Sequence, residues 1–217
     1  MSVEKRVPSV RKQKIKKNHT KTRLVVFLIL ALALLLVAVF AQQLCPYDPN
    51  AQDTAMSLRP PSAAHPAGTD RFGRDMFSRI LVGLQTSVLA TLSLVVIITV
   101  IGTAVGVLCG YYGGIWDSVI MRISDVCLAF PGLVFALAIA ALLNGGLHNA
   151  VLALAVISWP KYARIARSQT LAQKSVNYIA AAKLAGNNSI QVIVKHILPN
   201  CIGPILVTAM LDIGTML

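Results

Sequence analysis

The stretch that decides the fold is SVLATLSLVVIITVIGTAVGVLC, residues 87–109. Its β-branched residues would predict a strand in water, but 23 consecutive residues carry no charge. A helix of about 20 apolar residues crosses a hydrocarbon core about 30 Å thick. A lone strand there would leave its backbone hydrogen bonds unmade. The stretch therefore predicts a transmembrane helix.

The composition of the whole chain supports this class of protein. Of its 217 residues, 56% are hydrophobic and only 13% are charged, against about 25% charged in ordinary domains. Mean hydropathy is +0.69. One soluble domain of this length could not bury so much apolar surface. These figures exclude a disordered tail and a disulfide-rich secreted domain, and they predict an all-α polytopic membrane bundle.

Four further apolar segments accompany residues 87–109. They are 24–41, about 119–143 with a kink at Pro131, 147–159 with a continuation past Pro160, and 201 to the end. The first could be a signal peptide, but its 18 apolar residues exceed a typical signal core and further spans follow, which favours an uncleaved span. The predicted organisation is a basic tail (1–23), a first span (24–41), an external loop (42–86) and a transmembrane core (87–217) with a cytoplasmic loop (161–200).

The placement of charge predicts the orientation. The net charge is +12, and nine of the 20 basic residues precede residue 24, where only Glu4 opposes them. Six more lie within 161–200, which contains no acidic residue. Basic flanks beside apolar segments mark the cytoplasmic side. We therefore predict a cytoplasmic N-terminus. We also predict that the basic residues contact membrane lipid rather than nucleic acid.

Small residues within the spans carry weaker signals. Gly102 and Gly106 form a GxxxG pair, which allows close helix approach or is incidental. Gly110, Gly113 and Gly114 predict a tight inner turn. The four cysteines lack CxxC spacing and are interpreted as free packing residues, with no metal site.

Residues 176–200 have the sequence VNYIAAAKLAGNNSIQVIVKHILPN. Alanine-rich residues predict a first helix, and Gly186 can end it in the left-handed conformation. Asn187, Asn188 and Ser189 can turn the chain and cap a second helix, which Pro199 is predicted to end. Residues 176–200 are thus predicted to form two short helices joined by a turn, a basic segment that is called the elbow below. It suits docking into a groove of another protein or, alternatively, lying on the anionic lipid surface.

This stretch resembles the EAA loop of permease subunits of ABC-type importers. Five positions match that spacing: Ala181, Ala182, Gly186, Leu198 and Pro199. GTDRFGRDMFSR (68–79) resembles the external signature of the dipeptide, oligopeptide and nickel branch. Four further blocks resemble this branch in the same order: GYYGGIWD (110–117), MRISDVCLAFP (121–131), WPKYARIARSQ (159–169) and KHILPN (195–200).

The sequence departs from the family pattern at three places. Ala180 stands where the EAA motif has glutamate, and Gln85 stands where the branch usually has arginine. The last span is still apolar at Leu217, so five spans are predicted of the six that the resemblance implies, which suggests a fragment.

The resemblance implies a function and a set of partners. The chain would be one permease subunit that passes peptides or nickel complexes across a prokaryotic cytoplasmic membrane by alternating access. Its partners would be a second permease subunit, two ATPase subunits and an external substrate-binding protein. The sequence contains no GxxxxGK[ST], so ATP and Mg²⁺ are expected on the ATPases. No cofactor is expected on this chain, and it is not expected to be an enzyme.

The resemblance also implies site residues. Those that would couple to the ATPase are Ala181, Ala182, Lys183, Gly186, Lys195, His196, Leu198 and Pro199. Lys183 and Lys195 could pair with acidic residues of the ATPase, or they are solvated charges of the cytoplasmic side. The external signature comprises Gly68, Thr69, Asp70, Gly73, Arg74, Asp75 and Arg79, which would dock the binding protein or form ion pairs that fold the loop.

Asp212 is an acid inside an apolar span. It lies eleven residues after Cys201, about 16 Å along a helix and near the bilayer midplane. Such an acid faces a bundle interior or a watery cavity. It either lines the transport pathway and favours a cationic cargo, or it is paired or protonated within the bundle.

Other functions remain open at this stage. Within the family, the chain could be specifically a nickel or metallophore permease. From another class, it could be an uncoupled channel or a membrane scaffold. An intramembrane enzyme has little support, because no catalytic arrangement of Ser, His, Cys and Asp stands out.

Overall fold

The computed structural model of the chain describes residues 20–129 and 131–217. Within these ranges most of the chain is helical, residues 45–75 are mainly irregular loop, and the one extended pairing is an isolated bridge between Thr69 and Asp75. The all-α prediction is therefore confirmed. Most of the predicted basic tail, residues 1–19, lies outside the described residues.

The first apolar segment forms a long helix. Helix α1 spans Thr20–Val39, and the single turn α2 spans Ala41–Leu44. Ala38 and Ala41 are buried, whereas Leu24 and Phe27 are more than half exposed. A helix that exposes this much apolar surface is typical of contact with lipid or with another membrane-embedded chain.

Helix α3, Met76–Tyr112, begins eleven residues before the predicted span. The carboxylate of Asp75 caps its N-terminus by accepting from the Ser78 N–H at 2.7 Å, so residues 76–86 are helical. The predicted start of the inner turn at Gly110 is wrong, because α3 continues past this residue. Gly110 is helical, and the turn begins at Gly113, whose φ is +67°.

The predicted GxxxG contact is confirmed and extends one turn further. Gly102, Gly106 and Gly110 of α3 lie directly against helix α6, Leu147–Lys174. A Cβ at Gly106 would lie 2.2 Å from the carbonyl oxygen of Ala163. Only residues without a side chain permit backbones to approach this closely.

The predicted third span is broken at the expected proline. Helix α4 spans Gly114–Ala129, and helix α5 spans Gly132–Leu142 with Pro131 at its N-cap. Proline removes one backbone hydrogen-bond donor, and its ring clashes with the preceding turn of a helix. The break follows from both effects.

Helix α6 passes through Pro160, as predicted, and runs on to Lys174. The predicted loop 161–200 therefore begins with helix, because residues 161–174 continue α6. By length and composition, three helices of the described chain could cross a membrane: Lys21–Val39, Met76–Tyr112 and Ser189–Met216. The number of five spans stays a prediction.

The last part of the chain corrects the predicted end of the elbow. After α7, Asn177–Leu184, the chain forms α8, Ser189–Val192, then a π-helical turn, Ile193–Ile197, and then α9, Leu198–Met216. Pro199 does not end the second elbow helix, which continues directly into the last span. The wider π turn relieves the clash that a proline ring makes with the carbonyl four residues before it.

Candidate functional site

The elbow begins with a helix end that requires glycine. Gly186 has a φ of +88°. Its N–H donates to the carbonyl of Lys183 at 3.0 Å, and the Asn187 N–H donates to the carbonyl of Ala182 at 3.2 Å. These two bonds define a Schellman motif. The predicted left-handed end at Gly186 is confirmed, and no atom within 4 Å would touch an added Cβ.

The second half of the elbow starts from the predicted cap at Asn188, and the cap is reciprocal, which the sequence did not predict. The Asn188 side chain accepts from the Gln191 N–H at 2.8 Å, and the Gln191 side chain accepts from the Asn188 N–H at 2.9 Å. This capping box satisfies two backbone donors that α8 would otherwise leave free. The turn between α7 and α8 is thus fixed on both sides.

Tyr178 joins the elbow to the neighbouring helices α6 and α9 by hydrogen bonds. Its hydroxyl donates to Gln173 Oε1 of α6 at 2.8 Å and accepts from Asn200 Nδ2 of α9 at 3.2 Å. Asn200 Nδ2 also donates to the carbonyl of His196 at 2.6 Å. A force applied to α7 therefore reaches α6 and α9 through direct contacts. No sequence pattern points to a role for this tyrosine.

Two lysines meet the end of α3 beside the elbow. Lys174 Nζ donates to the carbonyl of Tyr111 at 2.7 Å, and Lys183 Nζ lies 5.2 Å from the centre of the Tyr111 ring. Such a contact is a cation–π interaction. Lys183 thus has a partner within the chain, and its pairing with an ATPase remains a prediction.

The other predicted coupling residues differ in exposure. Ala182 is buried, His196 and Leu198 are half-buried, and Ala181, Lys195 and Pro199 are exposed. The elbow also presents apolar side chains that sequence analysis did not single out: Leu184 is 90% exposed and Ile190 is 67% exposed. Both side chains are therefore available for contact with another chain.

The external signature folds on itself. Asp70 binds Arg74 at 2.7 Å and lies 3.8 Å from Arg79. His65 Nδ1 lies 2.9 Å from Asp75 Oδ1. The other oxygen of Asp75 accepts from the Ser78 hydroxyl at 2.7 Å. These contacts match the loop-folding alternative.

Two glycines and a threonine of the signature serve the same loop. Gly68 and Gly73 have positive φ, and a Cβ at Gly73 would lie 1.6 Å from the carbonyl oxygen of Asp53. Thr69 Oγ1 accepts from the Arg59 N–H at 2.9 Å. Docking of a binding protein on this loop stays a prediction.

Hydrogen bonds within the loop favour the ionised forms of Asp70 and Asp75. Partial burial opposes ionisation of Asp70, but hydrogen bonds from Arg74 and from the Phe72 N–H outweigh it and lower the pKa to about 2. For Asp75, burial is likewise outweighed by bonds from Ser78 and His65, so its pKa is lowered. Both loop carboxylates are therefore fixed anions at neutral pH.

Asp212 is buried and has two partners. Its Oδ1 accepts from Lys161 Nζ at 2.5 Å, and its Oδ2 accepts from the Tyr162 hydroxyl at 2.9 Å. The geometry matches the paired alternative that the sequence left open. The pathway role of Asp212 stays a prediction.

Two further ion pairs join α6 to α4. Arg167 forms a two-pronged contact with Asp117, with both distances 2.6 Å, and Arg164 pairs with Asp125. Both acids lie in the sequence blocks 110–117 and 121–131, for which the sequence predicts no ion pairs. The rule that intramembrane charges pair with one another would have pointed to the bases of α6.

Long apolar helices, close glycine packing of α3 on α6 and an exposed elbow define an all-α membrane protein. The family model for the binding-protein-dependent transport system inner membrane component matches residues 102–217. A model for the N-terminal transmembrane domain of oligopeptide transport permease C matches residues 21–61. The chain therefore belongs to the binding-protein-dependent inner membrane permeases, a family of transport subunits rather than enzymes.

Individual relatives are similar over most of this chain. The probable D,D-dipeptide transport system permease protein of Escherichia coli is 46% identical over 187 residues, 86% of this chain and 63% of that protein. Glutathione transport system permease proteins are 42% identical in Pectobacterium atrosepticum (84% of this chain, 61% of that protein) and 40% identical in Shigella dysenteriae (94% and 66%). The chain spans somewhat under two thirds of the length of these relatives.

Proposed function

We propose that the chain is the transmembrane permease part of an ATP-driven importer of peptides. In this proposal a separate ATPase holds the α7–α8 elbow on the cytoplasmic side. Family membership supports the transport role, and the printed names of the relatives, which specify a dipeptide and glutathione, support a peptide cargo. The nickel alternative stays an untested prediction.

One observation carries the coupling proposal: the elbow is exposed at its tip and firmly attached at its base. Leu184 and Ile190 project from the tip. Tyr178 bonds the base to α6 and α9, and α8 continues without interruption into α9. A surface that is free to bind and rigidly joined to spans is suited to transmit a rigid-body motion.

The mechanism follows from that attachment. ATP and Mg²⁺ bind to two ATPase subunits, which move toward each other and pull the elbow with them. α9 and α6 then tilt together and open the pathway, formed with a second permease subunit, to one side of the membrane at a time. An external binding protein delivers the peptide. The basic N-terminal tail lies in the cytoplasm of a prokaryote.

Reconstitution tests this function directly. Proteoliposomes containing the complete complex should take up labelled D-alanyl-D-alanine or glutathione when the binding protein is outside and MgATP faces the ATPases. A non-hydrolysable ATP analogue should support no accumulation. Equal flux with and without ATP would identify an uncoupled channel and contradict the proposal.

A further inference from the structure

A groove runs between α3 and α9 on the surface of the bundle. Far from the elbow the two helices are joined, because the Thr91 hydroxyl donates to the carbonyl of Met216 at 3.4 Å. Nearer the elbow they leave an open cavity of about 570 Å³. Residues within 99–108 of α3 line one wall, residues within 198–206 of α9 line the other, and Ile193 of the π turn also borders it. The groove therefore lies between a long apolar helix and the helix that continues the elbow.

The walls of this groove are aliphatic. Its described lining consists of Val, Ile, Leu and Ala together with Thr99 and Thr103. The hydroxyl oxygens of both threonines are buried, so these side chains present their methyl groups. Val100 and Leu206, one from each wall, are 62% and 49% exposed. Water would find no polar partners in such a groove, so its occupant is expected to be apolar.

The length of the groove matches one leaflet of a membrane. At 1.5 Å per residue, 99–108 measures about 13 Å and 198–206 about 12 Å. One leaflet contributes half of a hydrocarbon core about 30 Å thick. A transmembrane helix of another chain would cross both leaflets and use only half of its length here. An acyl chain of a single leaflet fits the groove from end to end.

The elbow end of the groove has the features of a membrane–water interface. Tyr112 lies four residues after Leu108, on the same face of α3, and is 62% exposed. Tyrosine is enriched at membrane interfaces. Lys195 is exposed within the π turn, and 161–200 contains no acidic residue that would neutralise it. An apolar groove with a cation at its interfacial end is complementary to the tail and headgroup of an anionic phospholipid.

We propose that this groove binds one acyl chain of an anionic phospholipid from the leaflet on the elbow side, with the lipid phosphate beside Lys195. Ile193 begins the π turn and Leu198 directly follows it, and both border the groove. A bound chain therefore packs on both sides of the connection between the elbow and α9 and stabilises its shape. The proposed function places this leaflet on the cytoplasmic side, but lipid binding itself does not depend on transport.

Photolabelling with a lipid probe tests this inference in the assembled complex. The complex that contains the full chain is placed in nanodiscs of phosphatidylcholine with a small fraction of phosphatidylglycerol, whose acyl chain carries a diazirine. After irradiation, the labelled residues are mapped by mass spectrometry. Label on 99–108 and 198–206 is divided by label on 24–36 of α1, whose exposed apolar side chains report ordinary lipid contact. The measurement is repeated with a phosphatidylcholine probe.

The variants separate a filled groove from a general change of the surface. Ala104→Trp fills the groove from α3, and Leu206→Trp fills it from α9, so the result does not depend on the folding of one variant. Ile101→Trp is the matched control, because Ile101 is 48% exposed on α3 and does not line the groove. Lys195→Gln removes the cation, and Arg71→Gln removes an exposed cation of the external loop. Co-elution of the partner subunits verifies assembly.

In wild type the groove should be labelled more strongly than α1, and more strongly by phosphatidylglycerol than by phosphatidylcholine. Ala104→Trp and Leu206→Trp should lower the ratio of groove to α1 label about tenfold, the effect of expelling about two methylene groups from apolar surface. Lys195→Gln should lower the preference for phosphatidylglycerol about fivefold, as expected for loss of one basic residue near the membrane surface. Ile101→Trp and Arg71→Gln should behave as wild type.

Three results would overturn the inference. A wild-type ratio near one, or an equal ratio in all three tryptophan variants, would show ordinary lipid contact only. An unlabelled groove, with loss of the second permease subunit from Ala104→Trp and Leu206→Trp, would assign the groove to another protein chain. An unchanged headgroup preference in Lys195→Gln would refute the placement of the phosphate. A failure of ATP-driven uptake would reject the proposed function and would leave the labelling result unaffected.

Discussion

Gly186→Val is expected to lower peptide uptake roughly tenfold while the protein remains in the membrane. Gly186 has a φ of +88° and ends α7 through two backbone hydrogen bonds. The left-handed conformation costs an L-residue about 1–2 kcal/mol, and a β-branched side chain resists it further. The turn would open and the tip of the elbow would move away from its bonded base. Uptake and membrane level of the variant are the measurements.

Gly145→Val is the matched control for that variant. Gly145 also has positive φ, +72°, and also has no atom within 4 Å of an added Cβ, but it lies in the turn between α5 and α6. It should suffer a similar local strain without loss of coupling. Full uptake by Gly186→Val, or equal losses in both variants, would contradict the role of the elbow.

Gly106→Ala is expected to prevent α3 from packing on α6. The added methyl group would lie 2.2 Å from the Ala163 carbonyl oxygen and 2.8 Å from the Ala166 Cβ. Overpacking typically costs about 1–3 kcal/mol, and here the obstacle is backbone that cannot rotate away. The variant should show a lower unfolding temperature in detergent and a lower level in the membrane.

Gly83→Ala in the same helix gives the comparison. An added Cβ at Gly83 meets nothing within 4 Å. Alanine favours a helix interior over glycine by about 1 kcal/mol, so this variant should be as stable as wild type or more stable. If Gly106→Ala proved equally harmless, the close contact between α3 and α6 would be refuted.

The sequence predicted the parts of the fold that depend on local chemistry. Gly186, the Asn188 cap and the break at Pro131 follow from backbone conformation and hydrogen-bond donors near each residue. The start of α3 was misplaced because Ser78, Arg79, Gln85 and Thr86 interrupt the apolar pattern of its first three turns, residues 76–86. The prediction that Pro199 ends the helix was wrong, because a π turn allows the helix to continue through the proline. No local sequence pattern indicates such a turn.

The contacts between distant segments could not be predicted from one sequence in the same way. Tyr178 gives no signal that it bonds Gln173 and Asn200, because those partners meet only after α6 and α9 have packed. Asp212 was recognised as unusual, but its partner Lys161 lies 51 residues away. Because intramembrane charges pair with one another, only a base could be the charged partner of Asp212. The packing of the helices determines which base it is.

Photo-crosslinking from the tip of the elbow tests the central proposal most directly. A photoreactive amino acid is placed at Leu184, which is 90% exposed on the elbow, and separately at Leu142, which is 83% exposed at the end of α5. In the assembled complex, position 184 should crosslink to the ATPase subunit and position 142 should not. Crosslinks from position 184 to lipid alone, or to the external binding protein, would contradict the account.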